Sequence, residues 1–146
     1  NCRKVGAKYL LNSGPEGQGR VKDYQAQLMS IIGSWMRING EAIYNGRPCG
    51  VSGIGKNFAL KSTDGKSLYL FVYDLAIKGD DNVTVGGKYR GAYAFGGVQD
   101  EIESVKWMDN DEELSFVQGD KMLAVDFTGQ PYGKSYPVRV AKAIIV

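Results

Sequence analysis

Few side chains in this sequence have the types and spacing that chemistry needs. The chain contains no histidine, which removes imidazole-based serine and cysteine triads, most zinc sites and the commonest general base near neutral pH. Acid–base work would fall to carboxylates, lysines, tyrosines or cysteines. Glu16 and Glu41 could be nominated as acid or base, but Glu16 sits in a turn and Glu41 beside an expected helix end. Capping or plain surface exposure accounts for both. The glycines of Gly14-Pro15-Glu16-Gly17-Gln18-Gly19 invite comparison with a phosphate-cradling loop. Their spacing fits neither GxGxxG nor a P-loop, and the Lys-Ser/Thr that would complete the latter is missing. Gly50-Val51-Ser52-Gly53 lacks the final glycine of a nucleophile elbow. Between Asp100 and Glu113, seven carboxylates face the single Lys106. Such a run repels phosphate backbones and reads as a solvated strand edge and hairpin tip. Cys2 and Cys49 allow one bridge at most, and sequence alone leaves open whether they meet.

The elements that would position these residues belong to a chain of ordinary globular composition. At 146 residues, with 43% hydrophobic and 23% charged residues, it is long enough for one domain with a sizeable core. Twenty glycines lie between apolar runs, as turn-rich β proteins require. The net charge is +2 and the basic residues are dispersed, so no nucleic-acid footprint is expected. No apolar run approaches the roughly 18 residues of a membrane span, and no signal peptide is visible. The start at Asn1, close to a strand and without a leader, leads us to expect a fragment or processed product.

Tyr9 to Asn12 reads as a brief buried strand stopped at Ser13-Gly14-Pro15. From Lys22 to Ile38, Tyr24, Leu28, Ile31, Ile32 and Trp35 recur at helical steps, and Asn39-Gly40 supplies a stop signal. Arg47 to Gly55 reads as a loop and Asn57 to Lys61 as a strand. Asp64-Gly65 is a hairpin signal leading into Ser67 to Leu75, whose two faces are both apolar, marking a central strand. Further strands are expected at Asn82 to Val85, Lys88 to Phe95 (an edge), Glu101 to Trp107, Leu114 to Val117, Met122 to Phe127 and Tyr136 to Val146. The expected fold is mainly β: an antiparallel β-sandwich of about seven or eight strands, preceded by a short strand and one amphipathic α-helix.

The residues Tyr9-Leu10-Leu11-Asn12, Gly14-Pro15, Gly19-Arg20-Val21, Gly33, Trp35-Met36 and Asn39-Gly40-Glu41-Ala42-Ile43-Tyr44, in this order and spacing, resemble the end of the catalytic barrel of α-L-fucosidases of glycoside hydrolase family 29. Glu103-Ser104-Val105-Lys106, Leu114 to Gln118 and Met122 to Asp126 are similar to the closing strands of that family's C-terminal β-sandwich. The resemblance implies two parts: residues 1–44 as the last strand and helix of a (β/α)8-like barrel, and residues 45–146 as the sandwich. It places Asn12 and Ser13 on the sugar-binding side of the parent barrel, since barrel sites lie at the C-terminal ends of strands. Family enzymes are retaining and use two carboxyl groups about 5 Å apart. Both come from upstream of the matching region, as do the family's substrate-binding histidines.

The resemblance therefore implies a non-catalytic C-terminal region of an enzyme that releases terminal α-L-fucose from glycoconjugates. No catalytic residue, metal or cofactor is expected in this chain; its substrate contact is a fucosylated glycan met through the parent catalytic domain, with no nucleic acid and no membrane. The implied location is secreted, periplasmic or lysosomal, and Asn82-Val83-Thr84 is a glycosylation sequon. Two alternatives stand beside this. The sandwich could bind carbohydrate through Trp107, Tyr89, Tyr93 or Tyr69, if these rings are exposed. Alternatively, the stripe of Leu28, Ile31, Ile32 and Trp35 could fold back on the sandwich or drive self-association.

Overall fold

The computed structural model describes residues 1–78, 91–133 and 136–146. The expected strand at Asn82 to Val85, the sequon at Asn82 and the aromatic Tyr89 fall outside them. A 3-10 turn (Cys2–Val5) opens the chain and a 23-residue helix α1 (Asp23–Asn45) follows. Then come β1 (Gly46–Gly53), β2 (Phe58–Ser62), β3 (Ser67–Tyr73), β4 (Ile77–Lys78), β5 (Gly91–Gly96), β6 (Ile102–Trp107), β7 (Phe116–Gly119), β8 (Met122–Phe127), β9 (Gln130–Pro131) and β10 (Val138–Ile145).

Eight of these strands make one antiparallel sheet in the order β6-β10-β3-β2-β1-β5-β8-β7, while β4 and β9 form a small parallel pair. The large sheet curls until its two ends almost meet. Lys106 and Glu113 form an antiparallel bridge, and the Leu114 N–H donates to the Val105 carbonyl at 2.9 Å. The Gln118 side chain accepts from the Ile102 N–H and donates to the Asp100 carbonyl, joining the start of β6 to β7. Closing a sheet this way leaves little unpaired edge for another chain to add to.

The double apolar face of β3 explains the two cores. Leu68, Leu70 and Val72 point inside the curled sheet, among Val51, Phe95, Val105, Trp107, Leu123, Val125 and Phe127. Tyr69 and Phe71 point outward and join Phe58, Leu60, Val140 and Ala42 under the helix. There Phe58 and Phe71 stack with centroids 4.5 Å apart and planes 6° from parallel, an offset pairing worth about 0.5–1.5 kcal/mol beyond the area it buries.

Four expectations are corrected. Tyr9 to Asn12 is not a buried strand: it is irregular, with Leu10 86% exposed, because among the described residues no strand pairs with it. The helix does not stop at Asn39-Gly40 but runs on to Asn45. Its local stop signal, worth about 1 kcal/mol at the glycine, is outweighed by burial: Ala42 is fully covered by the sheet, and the Asn39 amide donates back to the Trp35 carbonyl at 3.1 Å. Residues 47 to 53 are not a loop but most of β1, paired with β2 through a register shift between Pro48 and Ser52. Pro48 is tolerated because β5 joins β1 only at Ser52 and Gly53, so the proline lies where β1 has one ladder partner. The described part of the edge strand expected over Lys88 to Phe95 is β5, which lies between β1 and β8.

Helix and sheet meet at Gly46, whose N–H caps the helix by donating to the Ala42 carbonyl. A Cβ there would fall 2.3 Å from the Ala42 oxygen and 2.8 Å from Leu60 Cδ1. Only glycine lets the chain turn this tightly from α1 into β1.

Candidate functional site

The two residues expected near the parent sugar site lie together in the irregular segment before α1. Asn12 is exposed, and the Ser13 hydroxyl donates to Gln25 Oε1 at 3.2 Å, tying the segment to the first helical turns. Beside them, Glu16 pairs with Arg20 at 3.6 Å on the surface.

Glu41 has a more specific setting, and it is an anchor rather than a cap. It projects from the last turns of α1 and accepts two short bonds on Oε1, from the Tyr69 hydroxyl on β3 and from Lys142 Nζ on β10, each at 2.7 Å. These bonds, Lys142 first and then Tyr69, hold the Glu41 carboxyl below its ordinary value. Burial, followed by the Glu41 contact, pushes the Tyr69 hydroxyl well above the tyrosine range. A carboxylate held ionised and a phenol held neutral make a stable polar clasp, the opposite of a poised acid–base pair.

Of the aromatic residues offered for sugar stacking, two are unavailable. Trp107 is fully enclosed, its indole N–H donating to Thr128 Oγ1 at 2.8 Å. Tyr69 lies under the helix. Tyr93 is half-buried at one end of the curled sheet, its ring 5.8 Å from that of Phe127. It lines a cleft of about 240 Å³ together with Lys56 and Asn57 from the β1–β2 turn, and Tyr73 and Asp74 at the end of β3. Sequence reasoning missed this grouping, because its residues come from three separate elements.

A second concavity, of about 410 Å³ and largely apolar, lies between the 3-10 turn, α1 and the outer sheet face, lined by Cys2, Tyr9, Trp35, Met36, Phe71 and Val138 among others. Part of the acidic run is held in ion pairs. Asp100 pairs with Lys61 at 2.8 Å, Glu113 with Lys106 at 3.0 Å and Asp109 with Arg139 at 2.9 Å. Among the described residues no cluster of three or more His, Cys, Asp or Glu could hold a metal ion. Among the same residues, no helix is long and apolar enough to cross a membrane.

The apolar stripe of α1 divides along its length. In the second half Trp35 donates its indole N–H to the Val138 carbonyl at 3.0 Å, and Ile43 packs on the outer core. In the first half Tyr24, Leu28 and Ile31 are 52–64% exposed, and Tyr9 and Leu10 ahead of the helix are uncovered as well. The second half has folded back on the sheet; the first has not.

No family model matches the chain. It is 33% identical over 82 residues to an α-L-fucosidase of Dictyostelium discoideum, a match covering 55% of this chain and 17% of that protein. Its fold superposes on a family 29 α-L-fucosidase of Bacteroides thetaiotaomicron with a TM-score of 0.76 at 16% identity, over 99% of this chain and 30% of the other. It also superposes on a Thermotoga maritima α-fucosidase solved in complex with fucose, with a TM-score of 0.68 at 18% identity, over 97% and 31%. The curated relatives that match are named α-L-fucosidases, the two solved neighbours described above are named α-L-fucosidase and α-fucosidase, and the chain covers the C-terminal domain of these enzymes. It thus spans less than a third of the length of each protein described here.

Proposed function

We propose that this chain is the non-catalytic C-terminal region of a retaining α-L-fucosidase, which releases terminal α-L-fucose from glycoconjugates in a secreted, periplasmic or lysosomal setting. In this reading residues 1–44 complete the catalytic barrel, with Asn12 and Ser13 near its sugar-binding rim, and residues 45–146 form the sandwich that supports it. One observation carries the supporting role: α1 is a single helix whose second half is packed on the sheet while its first half, with Tyr9 and Leu10, presents uncovered apolar side chains. Apolar surface left uncovered in this way suits an interface, and a barrel packed there would be joined to the sheet by the helix itself. The clasped Glu41, the surface-paired Glu16 and the missing histidine agree with chemistry supplied by residues elsewhere.

An assay with an aryl α-L-fucoside tests this directly. The purified 146-residue chain is expected to give no turnover, whereas a longer fucosidase sequence containing it does. Turnover by the 146 residues alone would overturn the non-catalytic reading.

A further inference from the structure

We propose that the cleft between the β1–β2 turn and the adjoining ends of β3 and β5 binds a single neutral pyranose ring. This site lies on the sheet, uses none of the residues assigned to the barrel interface and goes beyond the supporting role proposed above.

The chemistry of the lining selects the ligand class. Tyr93 supplies aromatic surface, Tyr73, whose ring packs on Phe58 in the outer core, walls the cleft beside it, and Lys56, Asn57 and Asp74 supply donors and acceptors around it. Aromatic rings pack against the C–H face of a sugar while polar neighbours take its hydroxyls, so this mixture suits a polyol ring. Lys56 and Asp74 lie 3.7 Å apart and are both well exposed. Their charges cancel, which disfavours an anion or a cation, while each keeps hydrogen-bonding capacity for hydroxyl groups. At about 240 Å³ the cleft falls below the range of roughly 300–1,000 Å³ usual for larger ligands, so it suits one ring rather than an extended chain of sugars.

The walls are also held in advance. Asn57 is buried, and its Oδ1 accepts from the Tyr73 N–H at 2.9 Å, fixing the turn against β3. Gly53 lets this turn lie close to the sheet, since a Cβ there would fall 2.7 Å from Asn57 and 2.9 Å from Phe95. Asp74 takes a left-handed backbone conformation, φ 55°, uncommon outside glycine, and stands beside Lys56. Tyr93 is braced by Phe127. Side chains ordered before binding reduce the entropy that a small ligand must overcome.

The test is an NMR titration of the 15N-labelled chain with methyl α-L-fucopyranoside and methyl β-D-galactopyranoside, with sodium acetate as an anionic control. The expected result is saturable shifts confined to residues 54–57, 73–74 and 92–93, from one or both glycosides and not from acetate. Asp74→Ala and Lys56→Ala, both on the surface, should weaken binding at least tenfold with the remaining spectrum unchanged, and Tyr93→Ala should abolish it. No shift at tens of millimolar glycoside, shifts centred elsewhere, or an equal response to acetate would each overturn the proposal. The readout is this chain's own amide signals, so it succeeds or fails independently of any fucosidase assay.

Discussion

The guanidinium of Arg139 lies 4.0 Å from the centre of the Trp107 ring, with both residues buried. Around this pair the guanidinium donates to both carboxylate oxygens of Asp109 and to the Gly129 carbonyl. It therefore ties the turn after β6, the segment after β8 and the strand β10 at one point. Arginine suits this place because its planar fork can stack and bond bidentately at once.

Arg139→Met should destabilise the chain by about 3–5 kcal/mol, since it leaves the Asp109 carboxylate without its buried partner. Arg139→Lys should lose less, keeping the charge but not the stacked fork. Urea unfolding gives the magnitudes, and near-UV circular dichroism should report the altered surroundings of Trp107. An Arg139→Met variant as stable as the parent chain would refute the tie.

The Glu41 clasp predicts a pH window. Glu41 has a lowered pKa, so its contribution is present above the unfolded glutamate value of about 4.3 and lost as pH falls through the lower folded value. Tyr69 is raised, so its contribution is present below the unfolded tyrosine value of about 10 and lost as pH climbs above it. Glu41→Gln should cost about 1 kcal/mol near neutral pH, a modest figure because the ion pair is partly solvent-screened. Its stability should also fall less steeply than the parent's below about pH 4.3. Thermal unfolding across pH checks both.

The two cysteines should remain free thiols. Cys49 packs toward the interior of the curled sheet, whereas Cys2 lines the apolar groove on its outer face. A disulfide needs Cβ atoms about 3.5–4.5 Å apart, and the sheet intervenes. Thiol titration of the unfolded, unreduced chain should count two. In the folded chain Cys49 should react more slowly than Cys2, because burial raises its pKa.

Gly46→Ala should be among the most damaging single changes, costing about 3 kcal/mol or more, because the atom it would meet is backbone and cannot rotate away. A stability loss below about 0.5 kcal/mol, measured by urea unfolding, would show that helix and sheet can separate at this junction.

The halves of α1 should respond differently to substitution. Leu28→Glu with Ile31→Glu should change stability of the isolated chain by no more than about 0.5 kcal/mol, and Trp35→Ala should cost about 2 kcal/mol or more. Introduced into a longer fucosidase sequence, the paired glutamates should instead lower its thermal midpoint. An unchanged midpoint there would count against a barrel packed on this face.

How much of this was legible in the sequence depended on whether the signal was local. The two apolar faces of β3 were readable because Leu68, Leu70 and Val72 alternate with Tyr69 and Phe71, and Asp64-Gly65 marked the turn before it. The end of α1 was misread because Asn39-Gly40 signals a stop within one turn, whereas the burial of Ala42 depends on strands far along the chain. β1 was hidden by Pro48 and by Gly50, which takes a positive φ of 73° within the register shift. The closure through Gln118 and the cleft shared by Lys56, Tyr73 and Tyr93 have no periodic signature, since each joins residues that only the folded sheet brings together.

The uninterrupted course of α1 has a mechanical consequence. Twenty-three residues make a rod roughly 35 Å long, without a proline to bend it. Its far end is fixed to the sheet by the Glu41 clasp, the Trp35 bond and the tight exit at Gly46. A body gripping the near end could not swivel relative to the sheet without unwinding helix, so the rod acts as an axle keyed at one end. For a body held there, such a rod would set orientation more than proximity.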